Sequence, residues 1–123
     1  MTAQAITAPM GTITLGGEDR MLRFDHEQIR QTELAWQALA GSVMGYLGIL
    51  HQADRRVYAA LCALCYGALA SAEKDAGVQI RERMGLAAFD RIADYQTLVK
   101  AGGELVASAM AALPAAEDGA KNA

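Results

Sequence analysis

Alternation on both sides of a glycine-bearing turn restricts the start of this 123-residue chain to one local structure. Ile13 and Leu15 alternate with Thr12 and Thr14, and Leu22 and Phe24 alternate with Met21 and Arg23. A strand turns successive side chains to opposite faces, so period-two apolar spacing marks a half-buried strand. Between the two runs lies Gly16-Gly17-Glu18-Asp19-Arg20, a run of turn formers, and the pair reads as a hairpin. Asp25 follows with Gln28 three residues on, which resembles a capping box that opens a helix. From there the apolar period changes from two to about 3.6. The predicted fold is mainly α: a short N-terminal β-hairpin packed on a bundle of four or five helices.

Punctuation divides the rest. Residues 1–11 are expected to be a flexible arm, 12–114 a single hairpin-plus-helical domain, and 115–123 a disordered tail. The first helix is predicted over His26 to Ala40, with Ile29, Trp36, Leu39 and Val43 near one face. A short second helical segment covers Val43 to Gln52, interrupted by Gly45 and Gly48. Asp54 is placed to cap a third helix through about Ser71, with Val57, Leu61, Leu64 and Ala68 as its apolar stripe. Ala72 to Glu82 is a polar connector, read as helical in part. A short helix near Leu86 to Ala93 and a final one over Tyr95 to Leu113 complete the chain, and Pro114 stops the last.

Composition excludes several classes. Hydrophobic residues make up 53% and aromatics only 6%, so Ala, Leu and Met must fill the core, with thin helix contacts. A net charge of -3 disfavours a protein that grips nucleic-acid phosphates. The most apolar stretch, Val57 to Ala70, is shorter than the about 20 residues a membrane span requires. Met1 to Met10 has no Lys or Arg and does not read as a signal peptide, so the two cysteines are expected to be free thiols in a reducing cytoplasm.

No residue set announces catalysis, a cofactor or a metal. Cys62 and Cys65 form a C-x-x-C pair, but inside an apolar helix rather than at a helix start, and no second ligand pair accompanies them. They read as buried thiols; a reactive thiol is the competing reading. His26 and His51 stand alone at helix ends. Gly16-Gly17 lacks the lysine and helix of a phosphate loop, and Glu18-Asp19 is a solvated acidic turn. Arg55-Arg56 is an isolated basic pair, and Arg81 and Arg83 are interleaved with Glu82.

One segment suggests binding. Met44, Tyr46, Leu47, Ile49 and Leu50 crowd a short stretch with little polar relief. Packing against the first and third helices is one reading. The other is a partner-binding groove or a contact with another copy of the chain, which Gly45 and Gly48 would let come close.

The order of elements resembles the tail assembly chaperones of long-tailed phages and gene transfer agents, particularly the gene-transfer-agent branch. The hairpin is matched by Ile13 to Gly17 and Leu22-Arg23-Phe24, and the acidic helix ending in glycine by Glu33 and Gly41. Tyr46 to Leu50 matches a short Leu-rich segment, and Leu61 to Leu69 an Ala/Leu-rich helix with Gly67 and Leu69. Val99 to Leu113, with Gly102-Gly103, Leu105 and Ala109, matches the last helix, so the resemblance covers about Thr12 to Pro114. It implies a non-enzymatic assembly factor of the bacterial host cytoplasm, without cofactor. Such a factor coats the tape-measure protein and brings tail-tube subunits to it. The alternatives are a structural minor tail component and a small helical regulator of DNA-binding or antitoxin type. The regulator would need a helix with several Arg or Lys on one face, and no predicted helix has one.

Overall fold

The computed structural model describes residues 9–112. Strand β1 (Pro9–Leu15) and strand β2 (Glu18–Arg23) pair antiparallel in a two-stranded sheet. Gly16 and Gly17 both have positive φ, 57° and 86°, so Leu15 pairs directly with Glu18 across a two-residue turn. Positive φ at both central positions matches the right-handed twist of the strands, and only glycine takes it without steric cost. The turn is thus tighter than Gly16 to Arg20, and Glu18, Asp19 and Arg20 belong to β2. Residues 9–11, expected at the end of a flexible arm, are strand, with a register shift between Pro9 and Gly11. The rest of the expected arm, the end of the last helix, Pro114 and the expected tail lie outside the described residues.

Among the described residues the hairpin precedes five α-helices: α1 (His26–Ala40), α2 (Tyr46–Asp54), α3 (Tyr58–Asp75), α4 (Leu86–Ile92) and α5 (Tyr95–Ala112). A 3₁₀ turn at Ile80–Glu82 lies between α3 and α4. Ile13, Leu15 and Leu22 point from the sheet into the core. Strand β2 packs mainly on α3 and β1 on α5, so the hairpin sits across both helices.

Helix α3 is the centre. Its residues from Ala60 to Cys65 are all buried, as expected of a helix apolar on every side. It packs against α1, α2, α5 and β2. Its contact with α1 is a close backbone approach at Gly67, beside Gln28 and Thr32. Around that contact lies a buried polar chain. Gln28 Nε2 donates to Thr32 Oγ1 at 3.0 Å and to the Leu64 carbonyl at 3.4 Å, while Tyr46 Oη donates to Gln28 Oε1 at 2.7 Å. The capping box is therefore half formed. Asp25 Oδ1 accepts from the Gln28 amide at 2.9 Å, but the Gln28 side chain turns into the core to satisfy these partners.

Two boundaries differ from the sequence reading. Asp54 does not cap α3; it is the last residue of α2. Arg56 takes a left-handed φ of 63° and breaks the chain direction, and Val57 precedes α3 without a side-chain cap. Helix α3 also continues past Ser71 to Asp75, taking in the start of the expected connector. The cause is tertiary. Ser71, Ala72 and Glu73 are buried, and Glu73 accepts from the Met84 amide at 3.2 Å.

Polar contacts fasten the hairpin and α1 to the end of α3. Asp25 Oδ1 also accepts from Ser71 Oγ at 2.7 Å, and Arg23 bridges Asp25 and Asp75 at 3.4 and 3.1 Å. Burial disfavours the Asp25 carboxylate, but Ser71, the Gln28 amide and Arg23 outweigh it and hold its pKa below the ordinary value. A depressed carboxylate contributes stability above its unfolded pKa and loses it as pH falls through the folded pKa. Asp25→Ala is therefore expected to cost about 1–2 kcal/mol at neutral pH, the range for a lost N-cap. The gap between parent and variant should narrow below about pH 3.9, where the unfolded carboxylate takes its proton. Urea titrations of both proteins from pH 7 downward check this, and a gap that stays constant in acid would contradict it.

Candidate partner-binding surface

The α1–α2 junction is built by one carboxylate and two glycines. Gly41 ends α1 at a φ of 77°, and its amide donates to the Gln37 carbonyl at 2.9 Å. Gly45 stands at the N-cap of α2 and has no side chain to supply an acceptor. Glu33 does so from α1: its Oε2 accepts from the Tyr46 amide at 2.9 Å. A carboxylate at a helix start also faces the positive end of the helix dipole. The first turn of α2 is thereby tied to the middle of α1.

This tie decides which side chains of the crowded segment face outward. Tyr46 is buried, with its hydroxyl on Gln28 and its ring 6.4 Å from that of Phe24. Burial pushes its phenol pKa up. Ile49 and Leu50 are fully buried. These three proposed contact residues are thus core, because α2 presents them to α1 and α3, and they cannot touch a partner in the folded chain. Met44 is half-buried and lies over Gly48, where a Cβ would meet its Cγ at 2.9 Å. Leu47 is 43% exposed. Val43, assigned to the stripe of the first helix, is 81% exposed instead. The outward apolar side chains are Val43 and Leu47, with Met44 between them half-buried against the core that holds Tyr46, Ile49 and Leu50.

The other singled-out residues fall elsewhere. Cys62 and Cys65 are free and buried, within α3. Burial, helped by the Asp90 carboxylate 3.8 Å from its sulfur, pushes the Cys62 thiol up to about 12. Burial raises the Cys65 thiol too. Neither holds appreciable thiolate at neutral pH, and the thiolate is the nucleophilic form. His26 and His51 are exposed. Asp19 accepts from Thr14 Oγ1 at 2.6 Å, and Glu18 pairs with Arg20 at 3.1 Å, so both turn acids serve the hairpin. Among the described residues no three His, Cys, Asp or Glu side chains are placed to share a metal ion. No described helix is long and apolar enough to cross a membrane.

A second outward group was not legible in the sequence. Val57, Tyr58, Ile92 and Tyr95 are all exposed, around the start of α3, the end of α4 and the start of α5. Tyr58 Oη donates to the Asp90 carboxylate, and Tyr95 Oη donates to the Arg56 carbonyl at 3.1 Å. These bonds draw the three helix ends together. Spacing places Val57 in the apolar stripe of its helix, but after the left-handed turn at Arg56 it is left exposed.

Compared with protein-family models, curated proteins and solved structures, the chain gives no match.

Proposed function

We propose that this chain is a non-enzymatic tail assembly chaperone of the phage and gene-transfer-agent type. In this reading it acts in the bacterial host cytoplasm, shields apolar stretches of the tape-measure protein and helps recruit tail-tube subunits. The observation that carries the proposal is the outward pair Val43 and Leu47, flanking half-buried Met44, beside the buried Tyr46, Ile49 and Leu50. A binding factor needs apolar side chains that stay exposed while their backbone is held, and helix-in-groove recognition uses such a surface. The order of hairpin, Glu33-bearing helix, Leu-rich segment and Ala-rich helices supports the same reading through its resemblance to that branch.

Leu47→Lys tests it. Leu47 is already partly in water, so the charge needs no burial and the melting temperature should stay nearly unchanged. Co-purification with a co-expressed tape-measure protein should fall. A folded variant that retains the tape-measure protein as well as the parent does would remove Leu47 from the contact and the reading with it.

A further inference from the structure

Cations are unevenly paired in this chain. It carries 14 acidic residues against 11 Lys and Arg. Arg20, Arg23, Arg30 and Lys74 each lie within 4 Å of one. Arg55, Arg56, Arg81, Arg83, Arg91 and Lys100 have no such partner among the described residues, and of these Arg56 and Lys100 come together, lining one shallow cleft of about 410 Å³ with Tyr95, Gln96 and Val99. The cleft is structurally fixed. The Tyr95 hydroxyl is bonded to the Arg56 carbonyl at 3.1 Å, and the Arg56 amide donates to the Ala53 carbonyl at 2.9 Å. The exposed side chains of Val57, Tyr58 and Ile92 lie at the same helix ends. Lys100 also borders a second cleft, of about 200 Å³, with Thr12, Thr14 and Thr97.

We propose that the Arg56–Tyr95–Lys100 cleft docks an acidic, leucine-bearing segment of a partner protein. Charge complementarity selects the occupant. Two cations with no carboxylate within 4 Å among the described residues share the cleft with an aromatic and an aliphatic side chain, so a carboxylate of the segment meets Arg56 or Lys100 while its aliphatic side chain lies on Tyr95 and Val99. The guanidinium of Arg56 can take a carboxylate through two parallel bonds. A long polyanion is a poorer fit. The chain as a whole is negative, and two cations in one cleft make no row for successive phosphates. A short acidic segment feels only local charge, because screening at physiological salt confines it to about 8 Å. The inference does not depend on the tail-assembly reading and names a surface separate from Leu47.

The test is fluorescence anisotropy on the full chain with a labelled peptide of repeated Glu-Leu-Leu-Glu. Comparison probes are the same peptide with Gln for Glu, a single-stranded oligonucleotide, and inorganic phosphate as competitor. The acidic peptide should bind, weaken as salt is raised, and bind the Arg56→Glu/Lys100→Glu variant about tenfold or more weakly, since like charges then face each other. The Gln peptide should bind little. If Arg56→Glu disturbs the left-handed turn and lowers the melting temperature, Lys100→Glu alone decides, because it sits on the exposed side of α5. Absence of acidic-peptide binding would overturn the proposal. So would equal binding by a folded charge-reversed variant, tighter binding of the oligonucleotide, or full displacement by phosphate.

Discussion

Gly67→Ala is expected to destabilise the fold by about 3 kcal/mol or more, the upper end for forcing an extra methyl into a packed interior. A Cβ at Gly67 would lie 2.8 Å from the Thr32 backbone nitrogen and 2.9 Å from the Gln28 carbonyl oxygen, and closer still to Thr32 Oγ1. Two of these atoms are backbone, so no rotamer change relieves them. Helices α1 and α3 would have to move apart. That movement would also strain the buried Gln28–Leu64 and Gln28–Tyr46 bonds, and a buried polar group that loses its partner pays its desolvation. On helix propensity alone, Ala is better than Gly by about 1 kcal/mol. The two effects have opposite signs, which makes the substitution decisive. A denaturant titration in which Gly67→Ala equals or exceeds the parent would mean that α1 and α3 do not meet at this glycine. Adding Thr32→Ala should rescue only part of the loss, because the backbone contacts remain.

Trp36→Ala is expected to cost about 3–5 kcal/mol, the range for removing a large aromatic from a core. Trp36 is 7% exposed and shares the inner face of α1 with Gln28, Thr32 and Ala35. Aromatics are only 6% of the chain, so few other side chains can fill the space it leaves. Its indole Nε1 is buried without a hydrogen-bond partner among the described residues, and an unsatisfied buried donor costs about 1–3 kcal/mol. Trp36→Phe removes that donor while keeping a ring, so it should cost clearly less than Trp36→Ala. Urea unfolding of the two variants checks the order. A loss below about 1 kcal/mol for Trp36→Ala would place the ring in water rather than in the core.

Both predictions rest on α1, the element whose ends were most legible. Asp25 and Gly41 mark them through local chemistry: a side-chain acceptor for a free amide, and a residue that takes positive φ. The hairpin was legible for a similar reason, although its turn proved shorter. A two-glycine turn needs nothing from the rest of the chain to set its geometry. The end of α3 was only partly legible: Ala72 to Asp75 falls in the stretch read as a partly helical connector, and the contacts of Glu73 with Met84 and of Ser71 with Asp25 hold it. The break at Arg56 was not legible, since the chain enters the left-handed region there without a glycine to announce it.

The candidate surface divides along the same line. That Met44 to Leu50 holds more large apolar side chains than polar relief is a property of the sequence, and so are the order of elements and the acidic balance. Which of those side chains reach water was decided by the Glu33–Tyr46 bond and the Gln28–Tyr46 bond, across 13 and 18 residues of chain. Periodicity orders residues around one helix axis, but it carries no information on where neighbouring helices lie. Local signals such as caps, glycine turns and apolar period therefore determined the elements of this protein, and the docking of α2 on α1 and of the hairpin on α3 and α5 decided which of its apolar and charged residues are left to meet a partner.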